Sequence, residues 1–105
     1  MKTLLWLDDF RNPRDYIKED YKITWVKNYK EFCDYLNVNG LPDRVCFDHD
    51  LGEKMTGYDC AHVLVAYCCT NNLDIPEYSI QSSNVVGVDN IKGLLESWHR
   101  FYNKL

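Results

Sequence analysis

The segment VCFDHDLG, residues 45–52, decides the fold. Together with Arg44, its opening residues read as a short strand, RVCF (44–47), apolar enough to be buried on both faces. The run then breaks off into Asp48, His49 and Asp50, with a glycine at 52. The same pattern occurs in LLWLDDFR, residues 4–11, where the apolar run TLLWL (3–7) stops at Asp8 and Asp9. Two buried strands that both end in acids suggest that the strands serve to aim the acids.

Working outward, YKITWV (21–26) is rich in β-formers, with Tyr21, Ile23 and Trp25 on one face. EYSIQ (77–81) is a further strand, entered through Pro76 and left through Ser82, Ser83 and Asn84. Helical stretches fall between these strands. NPRDYIKE (12–19) reads as a brief helix with Asn12 as cap and Pro13 in the first turn. Asn28 and Glu31 have capping-box spacing ahead of Tyr29, Phe32, Cys33 and Leu36, and Asn39-Gly40 with Pro42 closes that helix. From Thr56-Gly57, GYDCAHVLVAYCC places Ala61, Leu64, Val65 and Cys68 on one face of a largely buried helix. From Ile91 onward, Leu94, Leu95, Trp98, Tyr102 and Leu105 form an amphipathic stripe.

The order βαβαβαβα predicts an α/β fold: a three-layer, flavodoxin-like sandwich with a short parallel sheet and helices on both faces. Residues 1–105 are enough for one domain with one core. The fifteen aromatic residues supply large packing units, so neither a disulfide nor a metal is needed to hold the core. Cys33, Cys46, Cys60, Cys68 and Cys69 form no C-x-x-C pair, as expected of reduced thiols in a cytoplasmic protein. Asp8 and Asp9 interrupt the N-terminal apolar run too early for a secretory signal, and no segment reaches the length of a membrane span. A net charge of −4 argues against a surface that tracks a long nucleic-acid backbone, although a local site can still hold a small anion.

Ligands of open parallel sheets bind beyond the carboxyl ends of the strands, at the point where strand order reverses. With the order 2-1-3-4, strands 1 and 3 are neighbours, so Asp8, Asp9, Asp48 and Asp50 share one edge. Two carboxylates about 5 Å apart at an effective dielectric of about 20 repel by roughly 3 kcal/mol, so the group needs compensation. A divalent cation suits such hard oxygen ligands, Mg²⁺ best, with Arg11 offsetting part of the charge. The sequence leaves open whether Asp48 or Asp50 lies nearer the metal. It also leaves open whether His49 transfers a proton, ligates the metal or only decorates the turn. His62 and His99 fall on helical faces and read as structural or exposed. Ser82, Ser83, Asn84 and the following VVGVDN offer hydroxyls, an amide and a glycine ahead of a helix, either as a phosphate seat or as a loop with Asp89 capping the last helix.

Taken together, LDD after strand 1, FDHDLG after strand 3 and Ser82-Ser83 after strand 4 resemble the receiver domains of two-component signalling. That resemblance implies an acidic pair at Asp8 and Asp9, a phosphoacceptor position at Asp48, and a phosphoryl-contacting hydroxyl at Ser82 or Ser83. The 105 residues hold four βα units, so the fifth strand of signalling receivers and the lysine that follows it have no counterpart. A divergent branch, the cyclic-phosphate-processing receiver-like family, is more similar through LDDFRNP (7–13), FDHDLG (47–52), GYD (57–59) and QSSNVVG (81–87). Two positions depart from its pattern: Gln81 stands where a histidine is expected and Val85 where a proline is expected.

The branch implies a phosphoesterase acting on a cyclic phosphate of a nucleotide or RNA end, with Mg²⁺ or Mn²⁺ on Asp8, Asp9 and Asp48. Arg11, Ser82, Ser83 and Asn84 would bind the phosphate, and His49 or Asp50 would handle the proton. The alternatives are phosphorylation of Asp48 itself, or a non-catalytic module that binds a phosphorylated or cyclic nucleotide or a protein partner. No membrane partner is expected.

Overall fold

The structure, a computed structural model, describes residues 1–105. Four strands, β1 (Thr3–Leu7), β2 (Lys22–Val26), β3 (Arg44–Phe47) and β4 (Glu77–Ile80), form one parallel sheet in the order β2-β1-β3-β4. Leu7 is in register with Val26 on one side and Phe47 on the other, and Phe47 with Ile80. The fold is the receiver-like α/β arrangement expected from the sequence, with β1 and β3 side by side.

Alternation along the strands divides the side chains between two faces. Leu5, Leu7, Val26, Val45 and Phe47 belong to the main core, together with Phe32 and Leu36 of α1 (Tyr29–Asn39), Cys60, Ala61, Leu64 and Cys68 of α2 (Gly57–Asn71), and Ile91 and Leu95 of α3 (Val85–Tyr102). Leu4, Trp6 and Cys46 face the other way into a smaller cluster with Ile17, bordered by Tyr21, Ile23 and Trp25. The expected helices on both faces are therefore distributed unequally. All three α-helices cover one face, while a three-residue 3-10 turn, Pro13–Asp15, and its flanking chain cover the other.

That turn replaces the longer helix expected over residues 12–19. Asn12 does cap it, accepting from the Arg14 N–H. Ile17 is the one buried side chain between Arg14 and Asp20, so no apolar stripe exists to hold further helical turns.

The last helix also differs from expectation, beginning at Val85 with Asn84 as its cap. Asp89 lies inside it and caps nothing. Exposed Val85 and Val86, followed by Gly87, weaken helix propensity and hide the first turn from a periodicity reading. At α1, Asn28 caps through the Glu31 N–H as expected, but the Glu31 carboxylate accepts from Lys27 rather than from Asn28. The full reciprocal capping box is at α2, between Thr56 and Asp59. No helix is long and apolar enough to cross a membrane.

Candidate functional site

Each of three strands stays hydrogen-bonded one residue past its end. The Asp8 N–H donates to the Val26 carbonyl at 3.1 Å, Asp48 to Leu7 at 2.9 Å, and Gln81 to Phe47 at 2.8 Å. Leu7, Phe47 and Ile80 all contact the helical core. Alternation therefore turns the next residue of each strand, Asp8, Asp48 and Gln81, toward the opposite face, with neighbouring strands about 4.8 Å apart.

Asp8 is fully buried. Its Oδ1 accepts from the N–H groups of Phe10 (3.0 Å) and Arg11 (2.8 Å), which bends the chain after β1 into a tight turn. Its Oδ2 accepts from Arg11 Nη1 at 3.2 Å, and Gln81 Nε2 approaches it at 3.5 Å. Arg11 Nη1 also lies 3.5 Å from Asp48 Oδ1 and donates to the Gln81 carbonyl at 3.4 Å. Two indoles anchor this turn: Trp6 Nε1 donates to the Arg11 carbonyl and Trp25 Nε1 to that of Asp8, both at 2.8 Å.

Asp48 is 3% exposed and accepts from the His49 N–H at 2.8 Å. Burial, and next the negative charge of Asp8, push its pKa up to about 6, against the opposing pull of Arg11.

One carboxylate oxygen each from Asp8, Asp9 and Asp48 lies within 4.8 Å of the others. Asp9 Oδ1 is buried without a hydrogen-bond partner. Three carboxylates against one guanidinium leave two negative charges when all are ionised, and the donors are hard oxygens. The residues thus fit a small divalent cation, and the orphaned Asp9 oxygen is the atom such an ion would satisfy.

A second cluster lies beside the first. His49 Nδ1 is 2.9 Å from Asp50 Oδ1, and Asn84 Nδ2 lies 3.3 Å from the same nitrogen and 3.5 Å from Asp50 Oδ2. The hydrogen bond from His49 holds the exposed Asp50 carboxyl below its ordinary range. Ser82 Oγ accepts from the Asn84 N–H at 3.1 Å and shapes the loop into α3, and Ser83 is exposed.

The structure thus gathers Asp8, Asp9, Asp48 and Arg11 in one group and His49, Asp50 and Asn84 in another, joined through the Asp48–His49 backbone. Ser82 and Ser83 border the second group. The site is an open edge: the largest cavity, about 420 Å³, lies at the entry end of β4, lined by residues that include Pro76, Glu77 and His99.

Sequence reasoning quoted three further contributors within its motifs without revealing what they touch. Gln81, noted only as a departure from a pattern, reaches the Leu7 carbonyl (3.1 Å) and Asp8. A Cβ on Gly57 would lie 1.8 Å from the Asp48 carbonyl oxygen, and one on Gly87 would lie 2.4 Å from His49 Cγ. The available signal was a glycine in the first turn of each of two helices, where the residue is conformationally costly unless something must come close.

A family model described as the cyclic-phosphate processing receiver domain matches residues 3–97. No curated protein matches the chain. Among solved structures, one described as a yeast Spc42 trimeric coiled-coil segment, amino acids 181-211, fused to another structure is similar with a TM-score of 0.67. The two are 16% identical over 98% of this chain and 78% of that one, a likeness of fold alone.

Proposed function

We propose, from the premise that this chain belongs to the cyclic-phosphate processing receiver domain family, that it is a metal-dependent phosphoesterase acting on a cyclic phosphate of a nucleotide or RNA end. The observation that carries this reading is the group of Asp8, Asp9 and Asp48 oxygens within 4.8 Å, with Arg11 beside them.

In this reading Asp8, Asp9 and Asp48 hold Mg²⁺ or Mn²⁺. The ion supplies Lewis-acid charge and a lowered pKa for bound water. Arg11 presents one guanidinium nitrogen to the acids and the rest of its fork to an incoming phosphoryl oxygen, because its side chain is 19% exposed. Loop residues Ser82, Ser83 and Asn84, at the N-terminus of α3, complete an anion seat of hydroxyls and an amide. His49, its Nδ1 held by Asp50, moves the proton at Nε2. Such an arrangement places charge where a phosphoryl transition state develops it.

A second reading, ligand binding without turnover, is favoured by Gln81, whose amide occupies the side of Asp8 where the family resemblance expects a histidine. The deciding experiment incubates the protein with 2′,3′-cyclic nucleotides and cyclic dinucleotides, with and without Mg²⁺ or Mn²⁺, using Asp48→Asn as control. The phosphoesterase reading expects cation-dependent turnover that Asp48→Asn abolishes. Binding without turnover supports the second reading, and turnover that survives the substitution removes the mechanism.

A further inference from the structure

The three heavy atoms nearest to a Cβ built on Gly87 all belong to one side chain: His49 Cγ at 2.4 Å, Cδ2 at 2.5 Å and Nδ1 at 2.9 Å. The imidazole is therefore seated on the bare backbone of the first turn of α3, in space that any other residue would fill. The cap of the same helix reaches the same ring. Asn84 Oδ1 accepts from the Gly87 N–H at 2.9 Å while its Nδ2 lies against His49 Nδ1 and Asp50 Oδ2. An ionised carboxylate can only accept, so Asp50 selects the tautomer with the proton on Nδ1, and the Asn84 amide has donors to spare for Asp50 Oδ2. The His49 backbone is fixed independently, through its N–H to Asp48 Oδ1 and its carbonyl, which accepts from the Gly57 N–H at 2.7 Å.

We infer that Gly87 and Asn84 are positioning residues for His49: together they seat the ring, hold Nδ1 toward Asp50 and present Nε2 to the substrate. The reactive role of Nε2 rests on the phosphoesterase reading above, but the seating does not. Gly87 is thus explained by what lies on it rather than by the helix it sits in, where alanine would be the better helix former.

A double-substitution cycle tests the seat directly. Gly87→Ala is measured by urea unfolding in the unsubstituted chain and in His49→Ala. The seat expects a clear loss of stability in the first background and no loss, or a gain, in the second. Should Gly87→Ala alone fail to fold, recovery of folding in the double variant is the same result. An equal loss in both backgrounds overturns the inference. Ring ¹⁵N shifts of His49 give a second readout: Asn84→Ser, which keeps a cap acceptor but removes the Nδ2 donors that hold Asp50 Oδ2, is expected to lower the share of the Nδ1–H tautomer, and spectra identical to those of the unsubstituted chain overturn the role of Asn84.

In turnover, Gly87→Ala should lower kcat at least about tenfold with KM little changed, as displacement of a proton-transfer group would. Coupling in the cycle without turnover by the unsubstituted chain overturns the reaction and keeps the seat. Turnover without coupling does the reverse.

Discussion

Asp48 lies 3.5 Å from the Arg11 guanidinium, yet its carboxyl is pushed from 3.8 up to about 6. Burial and the neighbouring Asp8 outweigh the single cation. A folded-state pKa above the unfolded one means that the folded chain binds the Asp48 proton more tightly. The contribution of Asp48 to stability is then most favourable below about pH 4 and declines as pH rises through about 6, after which it is level. Two pKa units correspond to roughly 3 kcal/mol. Asp48→Asn, which keeps an acceptor for the His49 N–H, is therefore expected to stabilise the metal-free chain by up to about 3 kcal/mol at pH 8 and to change nothing at pH 4. Urea unfolding at the two pH values checks this, and a variant less stable at pH 8 would contradict the charge argument.

Gly57 and Gly93 separate contact from propensity. A Cβ on Gly57 would meet the Asp48 carbonyl oxygen at 1.8 Å, whereas one on exposed Gly93 meets nothing within 4 Å. Gly57→Ala must push α2 away from the end of β3, which should cost about 3 kcal/mol or more and loosen the acid cluster. Gly93→Ala in mid-helix should stabilise by about 0.5–1 kcal/mol. Thermal melts of the two variants should move in opposite directions.

How far the sequence reveals this site depends on which forces set each part. Strands β1 and β3 are legible because burial on both faces demands uninterrupted apolar residues, and the acids after Leu7 and Phe47 stand out against them. Once β1 and β3 are neighbours, the shared edge follows from strand register alone. The start of α3 is not legible: Val85, Val86 and Gly87 are poor helix formers, and the turn is held by a cap at Asn84 and by the tertiary seat of His49. The Gln81 contact with Asp8 is hidden for a similar reason. It joins residues 73 apart through a ladder that continues past the assigned strands.

Asp59 shows that a motif residue need not belong to the site. It lies in the GYD segment that carries the family resemblance, but its carboxylate accepts from the Thr56 N–H at 2.7 Å and closes the cap of α2. Asp59→Ala is expected to cost about 1 kcal/mol of stability by loss of a cap. Calorimetric titration with Mg²⁺ should give the same affinity as in the unsubstituted chain. A tenfold loss of affinity would place Asp59 in the site.

Arg11 occupies the space between Asp8 and Asp48 from which a cation would balance them, so the guanidinium and a divalent ion compete for the same charge. Arg11→Gln leaves buried Asp8 with its two backbone N–H donors but without its ion pair, and should cost about 3 kcal/mol in the absence of metal. A unit charge 3.5 Å away at an effective dielectric of about 20 is worth roughly 5 kcal/mol, most of it offset by solvent on the open side of the side chain. A residual of about 1.4 kcal/mol would make Mg²⁺ bind about tenfold tighter to Arg11→Gln. Tryptophan fluorescence can follow the titration, since the Trp6 and Trp25 indoles bond to the carbonyls of Arg11 and Asp8. If the proposed phosphoesterase reading holds, turnover should fall in the same variant, because the guanidinium assigned there to the phosphate is gone. Tighter binding with slower turnover separates the two duties of this residue, and weaker Mg²⁺ binding would show that Arg11 supports the metal site instead of competing with it.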